Sequence, residues 1–227
     1  MPAADCEFLA EGFLAQPINA VSSLAFVLAG LLLFFGTVRG RTRGPLTAAF
    51  SATLVAVGIG SAAFHGPGGV VADWIHDGSI TALLVLIVAA EIGHSIGWNQ
   101  RRVVFWWSVV SVVFWSVEWI WSRAGDTLNA PLAAFAVVGV LATQRVSAPK
   151  HEEGTGGRLV ALTLVGLGGL IMLLSRTGGP LCAPNSLLQG HAIWHVLAAA
   201  GTFVYARFRA AAAAGSVTAS LSPTSGR

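Results

Sequence analysis

The chain has 227 residues, 55% of them hydrophobic and 10% charged, with a mean hydropathy of +0.73 and a formal net charge of +3. A soluble domain carries about 25% charged residues, so this composition excludes an ordinary soluble enzyme and points to a polytopic membrane protein. The sequence pI of about 9.5 is no nucleic-acid signal, because the basic residues sit in short connections between apolar runs, where they set topology.

The chain opens on an acidic segment, MPAADCEFLAEGF, whereas a cleavable signal peptide opens on a basic one. The first span is therefore expected to act as its own insertion signal. A span needs roughly 20 mostly apolar residues. The runs 18–38, 45–65, 75–97, 102–122, 127–144, 158–175 and 187–208 are the candidates, and 127–144, which begins near Pro131, is the weakest. From about Ala210 the Ala-rich tail ending SLSPTSGR reads as disordered. The expected organisation is one seven-transmembrane helix bundle over 1–209 and a tail over 210–227, with no internal repeat.

With seven spans, Arg39, Arg41, Arg43, Arg101, Arg102, Arg145, Lys150, Arg158, Arg207, Arg209 and Arg227 fall on one side. Only Arg123 and Arg176 fall on the other. The positive-inside rule puts the first group in the cytoplasm, the N-terminus outside and the C-terminus inside.

This topology brings scattered polar residues to one level. Span 2 runs outward, so Ser61 and His65 lie in its outer turns. Asp77 opens span 3, and His191 and His195 occupy the outer half of span 7. Residues four apart share a helix face, so SAAFH and HAIWH can each turn a polar pair inward. Ionisable groups at membrane depth are costly and mark functional sites. Three histidines match the ligand count of a catalytic zinc, which keeps its fourth position for water. Asp77 is then a candidate general base and Ser61 a candidate donor to an oxyanion. The competing explanation is a set of interhelical hydrogen bonds that pack the bundle. The zinc-protease helix motif is absent, because Ala192 follows His191.

Three blocks carry a family resemblance. CEFLAEGFLAQPINAVSSLAF is similar to a Cys-Glu element followed by Glu-Pro-x-Asn-x-x-Ser. GSAAFHGPGGVVADWIHDGSI is similar to Ser-x-x-x-Phe-His with an acid about a dozen residues on. QGHAIWHVLAAAG is similar to a closing His-x-x-x-His. In these blocks and their order the chain resembles the alkaline ceramidases and their bacterial relatives. These belong to a superfamily of seven-span hydrolases that includes the adiponectin receptors.

The resemblance implies zinc ligation by His65, His191 and His195, with catalytic support from Ser61 and Asp77. It implies hydrolysis of the amide of ceramide, or of a similar lipid amide, to a fatty acid and a sphingoid base. Asp77 fits the family's acid better than Asp73, which reads as a helix-start residue. His76 is expected in a hydrogen bond rather than as a ligand. The family's eukaryotic members also hold calcium through an N-terminal acidic element, for which Asp5 and Glu7 are the candidate ligands here. Gln16 stands where the family has a second Glu, which weakens a calcium site because calcium prefers charged oxygens. Asn19 and Ser22 match family positions, with packing roles as the alternative.

The topology places Cys6 and Cys182 outside, where a disulfide persists, so the expectation is a Cys6–Cys182 bridge, with free thiols as the alternative. Glu118, near Trp119 and Trp121, reads as interfacial and within reach of water. Glu91 and His94 read as solvated at the inner end, and His151, Glu152 and Glu153 as part of a cytoplasmic loop. The leading function is a zinc-dependent lipid amidase of a bacterial inner membrane, whose partners are a ceramide-like substrate and membrane lipids. No nucleic acid or obligate protein partner is expected. The runner-up is a seven-span, receptor-like zinc-binding protein with little turnover. A retinal pump is excluded, since its Schiff base needs an intramembrane Lys and Lys150 lies in a polar loop. A channel would need a ring of like residues, and none is visible.

Overall fold

The apolar runs become helices because in lipid each backbone N–H and C=O must be satisfied within its own segment. A computed structural model describes residues 5–38, 44–121, 124–146 and 155–221, with side chains over 5–36, 44–121, 128–143 and 156–209. Its helices are α1 (Pro17–Ser22), α2 (Leu24–Val38), α3 (Pro45–His65), α4 (Val70–Ser95), α5 (Gln100–Ile120), α6 (Ala124–Val146), α7 (Thr155–Leu174) and α8 (Gly190–Leu221). No strand occurs among the described residues. Among the described residues, five stretches are long and apolar enough to cross a membrane: Pro17–Gly36, α3, α4, α5 and Gly156–Leu174. The helix α6, with Pro131 inside it, offers the shorter apolar stretch Leu128–Thr143. In α8 the apolar residues are diluted by His191, His195, Arg207 and Arg209.

The seven expected runs map onto these helices, the first as α1 and α2 together. Their junction has a local cause. Ser22 and Ser23 both donate their hydroxyls back to Asn19 O, at 3.0 and 2.8 Å, which loosens the helix at this point. α2 and α3 then cross closely, because Gly30 and Gly58 carry no side chain. A Cβ on Gly30 would lie 2.7 Å from Ser51 O, and one on Gly58 would lie 2.8 Å from Val27 N. α7 and α8 form the most extensive helix pair, while α6 leans on α4 and barely meets α5 or α7.

At the inner end, Glu91 is 2% exposed, not solvated as its position near the end of a span suggests. It accepts from Tyr205 Oη and Arg209 Nη2, each at 2.5 Å, and from Thr143 Oγ1. A carboxylate in lipid is costly unless paired, and the α8 guanidinium meets that need. Glu118 also departs from expectation. It is 4% exposed and accepts from Thr81 Oγ1 at 2.6 Å instead of reaching water. α8 continues as helix to Leu221, past the expected tail boundary at Ala210, in keeping with the high helix propensity of alanine. Arg39, Arg41, Arg43, Arg123, Lys150, His151, Glu152, Glu153 and Arg227 lie outside the described residues.

Candidate active site

Three helix ends and one irregular segment build the site. α3 ends at His65, and α8 begins with His191 and His195 in its first two turns. His65 and His195 are almost fully buried, and His191 is partly buried. The rings stand 4.9 Å (His65–His191), 5.3 Å (His65–His195) and 4.6 Å (His191–His195) apart, centroid to centroid. One ligand nitrogen from each falls within 4.8 Å of the other two. Helix faces four residues apart and the convergent topology thus assemble the cluster expected from sequence.

An oxygen lies behind each imidazole. His65 Nδ1 donates to Gln16 Oε1 at 2.5 Å. His191 Nδ1 lies 3.1 Å from Asp5 Oδ1. His195 Nδ1 lies 2.9 Å from Ser22 Oγ, whose own proton goes to Asn19 O, so the serine accepts from the ring. A ring with its proton on Nδ1 keeps a lone pair on Nε2, the state a metal requires. His65 Nε2 is buried with no partner in the protein. A buried nitrogen left without a partner is expensive, and a soft-to-borderline cation facing three imidazoles would satisfy it. The donor set therefore fits zinc.

Ser61 Oγ sits 3.3 Å from His195 Nε2 and 2.9 Å from Ser23 Oγ. It is thus next to the nitrogen that would face the metal. Asp77 stands one step removed. Its Oδ1 accepts from His76 Nδ1 at 2.8 Å, and the His76 ring stacks on Phe64 and lies 6.2 Å from the His65 ring. The hydrogen-bonding role expected of His76 is the one it takes. Asp77 is partly exposed, so water reaches it.

The candidate calcium ligands do not form an oxygen cage. Asp5 faces His191 and Gln16 faces His65. Both carboxylate oxygens of Glu7 accept backbone N–H groups of α1, from Ile18 at 2.7 Å and Asn19 at 2.9 Å. These are orphan donors of a helix start whose first position is a proline, and the carboxylate suits them better than a distant ion. Burial pushes the Asp5 carboxyl up, but contact with His191 and the charge of Arg176 outweigh it and hold the group below the usual carboxylate range.

Cys6 and Cys182 form a disulfide, with Cα atoms 5.6 Å apart, as their common side of the membrane predicts. The contacts made by Asp5, Gln16, Ser22 and Ser23 are not predicted. A weak signal exists for the serines, since Asn19, Ser22 and Ser23 lie three and four apart on one side of a span. None exists for Asp5 and Gln16, whose segment has no helical period. A separate cavity of about 820 Å³ lies between α3, α4 and α5 and includes none of the three histidines.

In comparisons with known proteins, the family model described as Ceramidase matches residues 6–221. No curated protein sequence matches the chain.

Proposed function

The chain belongs to the ceramidase family, and on that premise we propose that it is a zinc-dependent hydrolase of ceramide or a similar lipid amide. The family is one of lipid amide hydrolases, so a lipid substrate follows from membership. Beyond membership, we infer zinc, the sphingoid product and the roles of individual residues. Three converging imidazoles, with Nδ1 of His65 and of His195 hydrogen-bonded, an Asp5 oxygen close to His191 Nδ1 and His65 Nε2 left without a partner, carry this reading.

His65, His191 and His195 would hold the ion. A bound zinc lowers the pKa of water to about 7 and polarises a carbonyl. Ser61 is placed to donate its hydroxyl hydrogen to the oxygen of the amide carbonyl as negative charge develops there. With Ser23 donating to Asn19 O, Ser61 donates its hydrogen to Ser23 Oγ, and turns it to the carbonyl oxygen when the substrate arrives. Asp77 takes the proton of the attacking water and returns it to the departing amine nitrogen, so the C–N bond breaks without releasing an amide anion. His76, hydrogen-bonded to Asp77, fixes the carboxylate and lies between it and His65. The acyl chain lies among the apolar spans and reaches the site laterally from the lipid. Eleven basic residues on one side favour an orientation with the histidine end outward, and the short loops fit a bacterial inner membrane.

Among the described residues only three His, Cys, Asp or Glu ligands converge. A purely structural zinc site takes four protein ligands, so this set favours turnover over a receptor-like role. The direct test is zinc content and ceramide turnover measured on the same detergent-purified samples of wild type and His195→Ala. About one zinc per chain, lost together with turnover in the variant, is the expected result. Wild type without zinc would end the assignment.

A further inference from the structure

The second-sphere contacts share one origin. The oxygens facing His191, His65 and His195 belong to Asp5, Gln16 and Ser22, so all three imidazoles are oriented by residues 5–22. This stretch is mostly irregular, yet it is fastened at both sides of the site. Toward α3, Ala15 N donates to Gly66 O at 3.1 Å and Gln16 N donates to His65 O at 2.8 Å. Toward the α7–α8 connection, Cys6 N donates to Thr177 Oγ1 at 3.1 Å and Phe8 N donates to Pro184 O at 3.0 Å. The Cys6–Cys182 disulfide joins the same two regions across 176 residues of sequence, directly beside Asp5.

We infer that residues 5–22 form a clasp that sets the zinc affinity of the site. Gln16, Asp5 and Ser22 are its positioning residues, and the Cys6–Cys182 disulfide is its catch. The inference rests on the zinc reading of the three histidines and adds what controls it. An imidazole whose Nδ1–H has lost its acceptor is free to move its proton to Nε2 and to rotate, and both remove a lone pair from the metal position. Gln16 bears most directly on this, because its amide oxygen is fixed against a histidine that is itself buried and otherwise unpartnered. Without the disulfide, Asp5 would depend on a few backbone hydrogen bonds to stay against His191.

The test is zinc affinity of the full-length protein in detergent, read by competition with a chromogenic chelator. Wild type is compared with Gln16→Leu, Gln16→Glu and the double variant Cys6→Ser/Cys182→Ser. Replacing both cysteines avoids dithiol reductants, which bind zinc themselves. Loss of an outer-sphere partner costs roughly 10–100-fold in metal affinity, and Gln16→Leu and the double variant are expected in that range. Gln16→Glu restores affinity, because a carboxylate oxygen can accept the same N–H. A merely structural role would lower the melting temperature without changing the affinity of folded protein, and glutamate would bring no rescue. If Gln16→Leu fails to fold, Asp5→Ala, at a partly exposed position, gives the same reading. Parental affinity in these variants would overturn the clasp while leaving the zinc site standing. A wild type that binds no zinc would overturn both.

Discussion

The two ends of this bundle bury polar residues in opposite ways. At the inner end Glu91 takes donors from α6 and α8, and the Arg209 guanidinium matches its charge. At the outer end three histidines face oxygens at their backs, Ser61 Oγ lies beside His195 Nε2, and His65 Nε2 has no partner. A charge-matched pair locks helices together, even with Arg209 Nε and Nη1 left without partners. An open cluster leaves capacity for something else, and its cost in lipid makes sense only if that capacity is used. Intramembrane polarity alone therefore does not mark a site; unmet valence on convergent metal-ligand nitrogens does.

Substitutions break this contrast from either end. His195→Ala has the largest expected effect: turnover falls to background and zinc is lost, read by elemental analysis beside a ceramide assay. Asp77→Asn comes next, with turnover reduced about 10²–10⁴-fold while zinc stays bound, which separates proton transfer from metal holding. Arg209→Met strikes the opposite end. Leaving Glu91 buried without its cation costs about 3–5 kcal/mol, measured by unfolding in detergent, while zinc per folded chain is unchanged. Ser61→Ala lowers turnover by about 10²–10³-fold, again with zinc retained. Glu118→Gln is the mildest, near 0.6 kcal/mol, about the average interhelical hydrogen bond in a membrane, because Thr81 can still donate to the amide oxygen.

The sequence made the bundle and the histidine cluster legible because both obey a period. Apolar runs of spanning length, His pairs four residues apart and a one-sided charge bias are each local or countable. Asp77 was legible by position but not by contact, since the intervening role of His76 depends on how its ring packs on Phe64. Glu118 misleads for a definite reason. Trp119 and Trp121 advertise an interface, but Ser111, Trp115 and Glu118 recur four and three residues apart on the face turned toward α4. Glu91 was assigned by its distance from the span end, which says nothing of the arginine that α8 brings to it. Asp5 and Gln16 were least accessible, because an irregular segment reveals its contacts only once the fold places it.

The seam beside α6 has a kinetic consequence. Among the described residues that helix leans on α4 and barely meets α7, and a substrate route there would have a definite signature. A catalyst fed through such a seam draws on a two-dimensional pool. Its saturation then follows the mole fraction of substrate in the bilayer, and diluting the lipid with inert detergent slows it even when the bulk concentration of every component is held constant.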